Sequence, residues 1–217
     1  MFERLAVLHV RDIVAWGLRR MADAFGRVYV PCVAGNHGRS THKPEFKRYA
    51  YKNFDWLIYQ LLIREFPGDD RITFDVRPSN EVFYSVYGHR FLLMHGDMLG
   101  VKGGDGIIGA LGPIARGEVK VRGFAASSGM PYDTLLMGHW HQQLWLPRAI
   151  VANTLKGYDE YAKNALRAGI SAPSQPLWFL HPDRGITSRW EVAVEEPRKG
   201  PMTDWVSVFN PTEGVAA

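Results

Sequence analysis

The sequence is short of several things, and each shortage excludes something. It has one cysteine, Cys32, among 217 residues. An internal disulfide is therefore impossible, and a reducing compartment such as the cytoplasm fits. No run of about 18 apolar residues occurs, so no segment reads as a membrane span. The opening "MFERLAVLHVRDIVAW" carries charges throughout, which excludes a signal peptide there. No internal repeat and no low-complexity tract is present, so a solenoid or an array is excluded.

What is there is ordinary for a globular chain, with 46% hydrophobic and 22% charged residues. The length allows one sizeable core, so one domain is expected over residues 1–195. From "EEPRKGP" onward the pattern dissolves into an irregular tail at 196–217. A net charge of +4 and a pI near 9.2 lean weakly towards a polyanionic partner.

Leu5, Leu8, Ile13, Trp16 and Met21 recur at helical spacing and predict a helix over 3–25. "RVYVPCVA" is a short, nearly continuous apolar run, as expected of a strand buried on both faces. A second helix is predicted over about 44–66, with Phe46, Ala50, Phe54, Leu57 and Leu61 on one side. Strands are predicted at "RITFDV", "EVFYSVYG", "HRFLLMHGD", "DTLLMGHWH", "QLWLP", "AIVANT", "PLWFLHP" and "SRWEVAV". Helices are further predicted at about 104–116 and 158–168. Helices mixed with many short strands predict an α/β protein with several sheet layers.

Three of the predicted strands end in polar, glycine-bearing loops. These are Gly35-Asn36-His37-Gly38-Arg39, His95-Gly96-Asp97 and Gly138-His139-Trp140-His141. In α/β sheets ligands sit beyond the carboxyl ends of strands, where such loops can converge. Imidazole nitrogen and amide oxygen suit Zn, Mn or Fe. If "HWH" is extended, His139 and His141 point the same way while Trp140 points opposite.

The order of these loops resembles the calcineurin-like metallophosphoesterase family. Its pattern runs D-x-H, G-D-x-x-D, G-N-H-[D/E], a histidine often followed by glycine, then G-H-x-H. "GNHG", "MHGD" and "GHWH" match the last three, over roughly residues 28–155. The resemblance implies a layered α/β/β/α sandwich and hydrolysis of phosphomonoesters or phosphodiesters by two divalent ions (Mn, Zn or Fe). By the same resemblance Asn36, His95 and His139 would hold one ion and His141 would belong to the other. His37 would protonate the leaving group or steady the phosphoryl transition state.

The chain departs from the family pattern in two places. Gly38 stands where an acidic residue is expected, followed by Arg39, which could clamp a phosphate oxygen or be a surface arginine. Nothing before residue 35 matches D-x-H or G-D-x-x-D. The expectation is a fragment lacking its first strands, with an incomplete second metal site, weak metal binding and little activity on its own.

Other residues carry weaker signals. Lys43, Lys47, Arg48 and Lys52 would lie along the second predicted helix, as a phosphate-backbone track or, in the plainer reading, a solvated face. Asp97 could orient His95 or cap a turn. His42, His89 and His181 read as ordinary polar positions, and Cys32 as inert core. The competing functions are a non-catalytic remnant that binds phosphate or nucleic acid, and a zinc-stabilised module, disfavoured with a single cysteine.

Overall fold

The computed structural model describes residues 2–43, 45, 47–100, 109–157 and 172–194. Helix α1 (Phe2–Phe25) leads into strand β1 (Val28–Cys32), and helix α2 (Phe54–Glu65) returns the chain to strand β2 (Ile72–Val76). β1 and β2 pair in parallel, Val28 opposite Ile72 and Cys32 opposite Val76. The β1–α2–β2 segment is thus one crossover unit. Among the described residues the outer edge of β1 has no strand partner.

A second sheet follows. Strands β3 (Glu81–Val86), β4 (His89–Met94), β5 (Thr134–Met137), β6 (Leu144–Trp145) and β7 (Ala149–Val151) stand in the order β3-β4-β5-β7-β6. β4, β5 and β7 are parallel, and β3 and β6 close the edges antiparallel. Helix α3 (Leu111–Ser127) crosses from β4 to β5. The last described elements, β8 (Ser174–His181) and β9 (Gly185–Ala193), form an antiparallel hairpin. The chain is therefore mixed α/β with several sheets, as its pattern predicts. No described helix is long and apolar enough to cross a membrane.

Alternation along β4 and β5 gives the five-stranded sheet two apolar faces. Leu92, Met94, Leu135 and Met137 face α3 and pack with Ile114, Ala125 and Tyr132. Phe91, Leu136 and Ile150 face the other way and pack with Trp178, Leu180 and Ile186 of the hairpin. On that same face Tyr84 meets Tyr29 of β1, ring centroids 5.3 Å apart. The far side of β1 and β2 packs through Val28, Val30 and Phe74 onto Leu18, Ala22 and Phe66.

Several expectations need correction. α1 forms where predicted, but its buried stripe is Val7, Ala15, Leu18 and Ala22. The five residues that signalled the helix lie outside that stripe, with Ile13 67% and Trp16 66% exposed. Close contact with α2 and the two-stranded sheet admits alanines at 15 and 22, whereas a large ring would hold the elements apart. β1 is not buried on both faces, because Tyr29 is exposed, with its hydroxyl donating to Asp75 Oδ2 at 2.7 Å. The third helix occupies 111–127 rather than ending near 116, so the glycine-rich stretch contributes a longer helix than its propensities suggest. The helix expected at 158–168 and the tail at 196–217 lie outside the described residues.

The second helix begins at Phe54, not near residue 44. Asn53 caps it, its side-chain oxygen accepting from the Asp55 amide at 2.9 Å. Upstream, Ala50–Lys52 form a single 3-10 turn, while Arg48 has φ +58°. Backbone bonds from Phe54 to Gly38 (2.7 Å) and from Ser40 to Lys52 (3.0 Å) tie this segment to the loop after β1. An α-helix through 47–52 would forfeit those bonds. The basic residues consequently do not share a helical face: Lys43 sits in a bend, Lys47 and Arg48 in a turn, and Lys52 pairs with Glu45.

The burial pattern of α1 makes a testable contrast. Leu18→Ala should cost about 2–5 kcal/mol, the usual range for a truncated core leucine. Trp16→Ala should stay within about 0.5 kcal/mol, as for an exposed position. Urea unfolding of both variants checks this, and equal losses would mean that α1 packs through its other face.

Candidate functional site

The three polar loops leave the carboxyl ends of the parallel strands β1, β4 and β5. The backbone of the loop after β1 is held by side chains of α2 and of the turn before it. Gly35 O accepts from Asn53 Nδ2 at 2.7 Å and from the Tyr49 hydroxyl at 3.1 Å. Gly35 N–H donates to Asp55 Oδ2 at 2.7 Å, and Val33 O accepts from the Tyr59 hydroxyl at 2.8 Å. A Cβ on Gly35 would stand 3.0 Å from the His95 ring, so glycine lets that ring lie against the backbone.

The loop after β4 is anchored at its far end by Leu99, which is buried against α3. A Cβ on Gly117 would fall within 2.6 Å of Leu99 Cδ2, so the glycine in α3 makes the socket for this leucine. Gly96 has φ +115°, and a Cβ there would press on His139 Cβ at 3.1 Å. Both constraints require glycine and bring the second loop against the third. The Gly138 amide donates to His95 O at 3.0 Å and completes that contact.

The third loop is not extended, which overturns the alternation expected for "HWH". His139 has φ +69° and His141 φ +53°, both in the left-handed region. Trp140 N–H donates to Gly138 O at 2.8 Å, closing a three-residue turn around His139. A γ-turn with positive φ at its centre is rare and strained, and such strain concentrates at functional sites. Trp140 packs on the core beneath α3 and draws the loop inward.

These turns separate the two histidines into different pairs. His139 sits against His95, ring centroids 5.2 Å apart and inclined by 69°. His141 sits by His37, centroids 6.2 Å apart. Asn36 Oδ1 lies 2.7 Å from His95 Nε2. Asn36, His95 and His139 are thus together, with His141 alongside and His37 exposed at the rim. Asp97 accepts from the Tyr49 hydroxyl at 3.2 Å, so its bond runs to Tyr49 and it reaches His95 and His139 by charge alone. The charge of Arg39 is felt at His139 and at Tyr49. Its Nε is buried without a hydrogen-bond partner among the described residues.

Burial dominates the electrostatics. It pushes His95 down to about 4, helped by the neighbouring histidines and opposed by Asp97. His139 is lowered for the same first reason. Both rings are therefore neutral at pH 7, the form in which imidazole ligates a metal. Asp55 is raised by burial, with the Gly35 amide and the charge of His37 acting against it. Burial also pushes the Cys32 thiol up to about 12, so it is not a thiolate.

An amide oxygen only accepts, so at 2.7 Å from Asn36 Oδ1 the His95 Nε2 carries the ring proton, and an ion bound there would replace this hydrogen bond. Among the described residues no three His, Cys, Asp or Glu side chains converge on one point. The set relies on an amide oxygen and neutral rings.

Sequence reasoning missed Tyr49, Asn53, Asp55 and Tyr59, the residues that hold the first loop. The signal for two of them was present: Asn53 followed by Asp55 is a helix-start pattern, a capping side chain with an acid in the first turn. The assumed start near residue 44 hid it.

The histidine shifts generate a pH prediction for the metal-free chain. The folded value of His95 lies below its unfolded value of about 6.5. Its contribution to stability is therefore intact above that pH and is lost as pH falls towards about 4. The raised Asp55 acts in the opposite sense, but equally in wild type and variant. Urea midpoints at pH 7.5, 6 and 5 should fall more steeply for wild type than for His95→Gln. Parallel slopes would show that His95 is not held neutral by burial.

Compared with known proteins, the chain matches no family model and no curated protein.

Proposed function

We propose that this site hydrolyses phosphomonoesters or phosphodiesters with divalent metal ions, as the resemblance to calcineurin-like metallophosphoesterases implies. One observation carries the reading. Loops from three parallel strand ends bring Asn36, His95 and His139 together, with His37 and His141 as a second pair beside them. The packing order also fits a layered α/β/β/α sandwich: α1 and α2, then β1 and β2, then the five-stranded sheet, then α3.

Asn36, His95 and His139 would hold one ion and His141 would serve the other. Divalent ions bound there supply a water of lowered pKa and a clamp on phosphate oxygens. The chain's own residues divide the remaining work. His37, exposed at the rim, delivers a proton to the leaving oxygen. Arg39 offers a guanidinium to a phosphate oxygen. Tyr49 and Asp97 keep the first two loops in register.

The donor set sets the expected strength. Neutral rings and an amide do not offset the mutual repulsion of two dications, so the second ion is held weakly. The non-catalytic reading, a phosphate-binding remnant, differs in one observable: it binds phosphate without turnover. The nucleic-acid reading loses its helical track, because Lys43, Lys47, Arg48 and Lys52 do not lie on one helix.

Manganese titration by calorimetry, together with turnover of bis(p-nitrophenyl) phosphate, tests the proposal. Wild type should bind Mn²⁺ and release nitrophenolate slowly. His139→Ala should lower turnover about 100-fold or more, because the ion organises the reaction. His181→Ala should match wild type, since its ring accepts from the Asp183 amide at 3.1 Å within the hairpin turn. Phosphate binding with no metal-dependent turnover would favour the remnant.

A further inference from the structure

The loop after β1 has a gap in its chemistry and a carboxylate beside it. Gly38 follows Asn36 and His37 and bears no side chain. Asp55, on the first turn of α2, is turned towards that same place. Its Oδ2 accepts the Gly35 amide at 2.7 Å. Its Oδ1 stands 2.5 Å, and its Cγ 2.7 Å, from where a Cβ on Gly38 would be. The oxygen of Asn53 crowds the same point. Two oxygens delivered by the start of α2 therefore occupy the volume of any side chain at 38. His37, next to that volume, interacts with the Asp55 charge.

We propose that Asp55 is the positioning carboxylate of the Asn36-His37 loop, entering from α2 the space that a side chain at position 38 would take. Through Gly35 it fixes the backbone that aims Asn36 at His95. By filling the space beside Gly38, the residue after His37, it limits where the His37 ring can lie. Asp55 touches no reacting atom and acts through His37 and the loop. The role rests on the hydrolase reading above, and its test is arranged so that the two can fail separately.

The test is relocation of the carboxylate. Asp55→Asn should lower kcat about 10- to 100-fold, as for outer partners of a metal site, with KM within about threefold. Asn53→Gly with Asp55→Gly empties the space beside position 38 and should be slower still. Adding Gly38→Asp to that pair returns a carboxylate from the loop side and should regain at least about tenfold in kcat over the pair. Its melting temperature should stay as low as that of the pair, because the cap of α2 is not rebuilt. A purely structural Asp55 predicts the reverse, with activity following stability and no gain from Gly38→Asp.

No regain, or an Asp55→Asn enzyme as fast as wild type, overturns the proposal. If wild type neither binds Mn²⁺ nor turns over the diester, the hydrolase reading fails on its own. Asp55 is then read by the ring resonances of His37 in wild type and in Asp55→Asn. A displaced His37 signal supports the positioning role without the enzyme reading, and an unmoved one overturns it.

Discussion

The backbone of Gly35 is the point on which the site hangs. Its carbonyl takes donors from Asn53 and Tyr49, and its amide gives to Asp55. A loop that leaves a buried strand must satisfy its polar backbone groups somewhere. Here the partners come from the start of α2 and the turn before it. That arrangement delays the start of the helix to Phe54 and uses residues 47–53 as a brace. It also leaves Asn36 facing His95. Removing one partner would leave a buried carbonyl or amide unsatisfied, typically a cost of about 1–3 kcal/mol.

A second constraint couples the other two loops. Gly96 lets the His95 and His139 loops approach, the Gly138 amide bonds to His95 O, and Leu99 in its socket at Gly117 holds the intervening turn. The result is a pair of half-buried, neutral imidazoles in a chain of net positive charge. Neutral nitrogen and amide oxygen can bind an ion, yet they add no negative charge. Under the proposed function, a metal site of this composition would be modest in affinity, and a bound phosphate would supply the missing charge.

Much of the scaffold was legible from pattern. The strands at 72–76, 81–86 and 89–94 carry apolar alternation or runs bounded by Gly, Pro, Ser and Asn, and they form where that pattern stands. The three histidine loops were legible because each follows an apolar strand. Other features were not. "KPEFKRYAYKNFDW" has helical spacing, but two backbone bonds to Gly38 and Ser40 outweigh propensity over residues 47–53. The spacing of Leu5, Leu8, Ile13, Trp16 and Met21 is helical without marking the buried side, because Ala15 and Ala22 carry almost no hydrophobic signal.

The sequence by itself determined that three glycine-bearing loops with Asn36, His37, His95, His139 and His141 would lie at strand ends, since period and turn residues are local properties. Only the tertiary structure decided how those side chains pair. The left-handed turns at His139 and His141 send one ring to His95 and the other to His37, reversing the alternation that an extended chain would impose. It alone also brought Asp55 and Tyr49 beneath the loop, from 20 and 14 residues away. Contacts across such distances come from packing the crossover helix against its sheet, and no local window contains them.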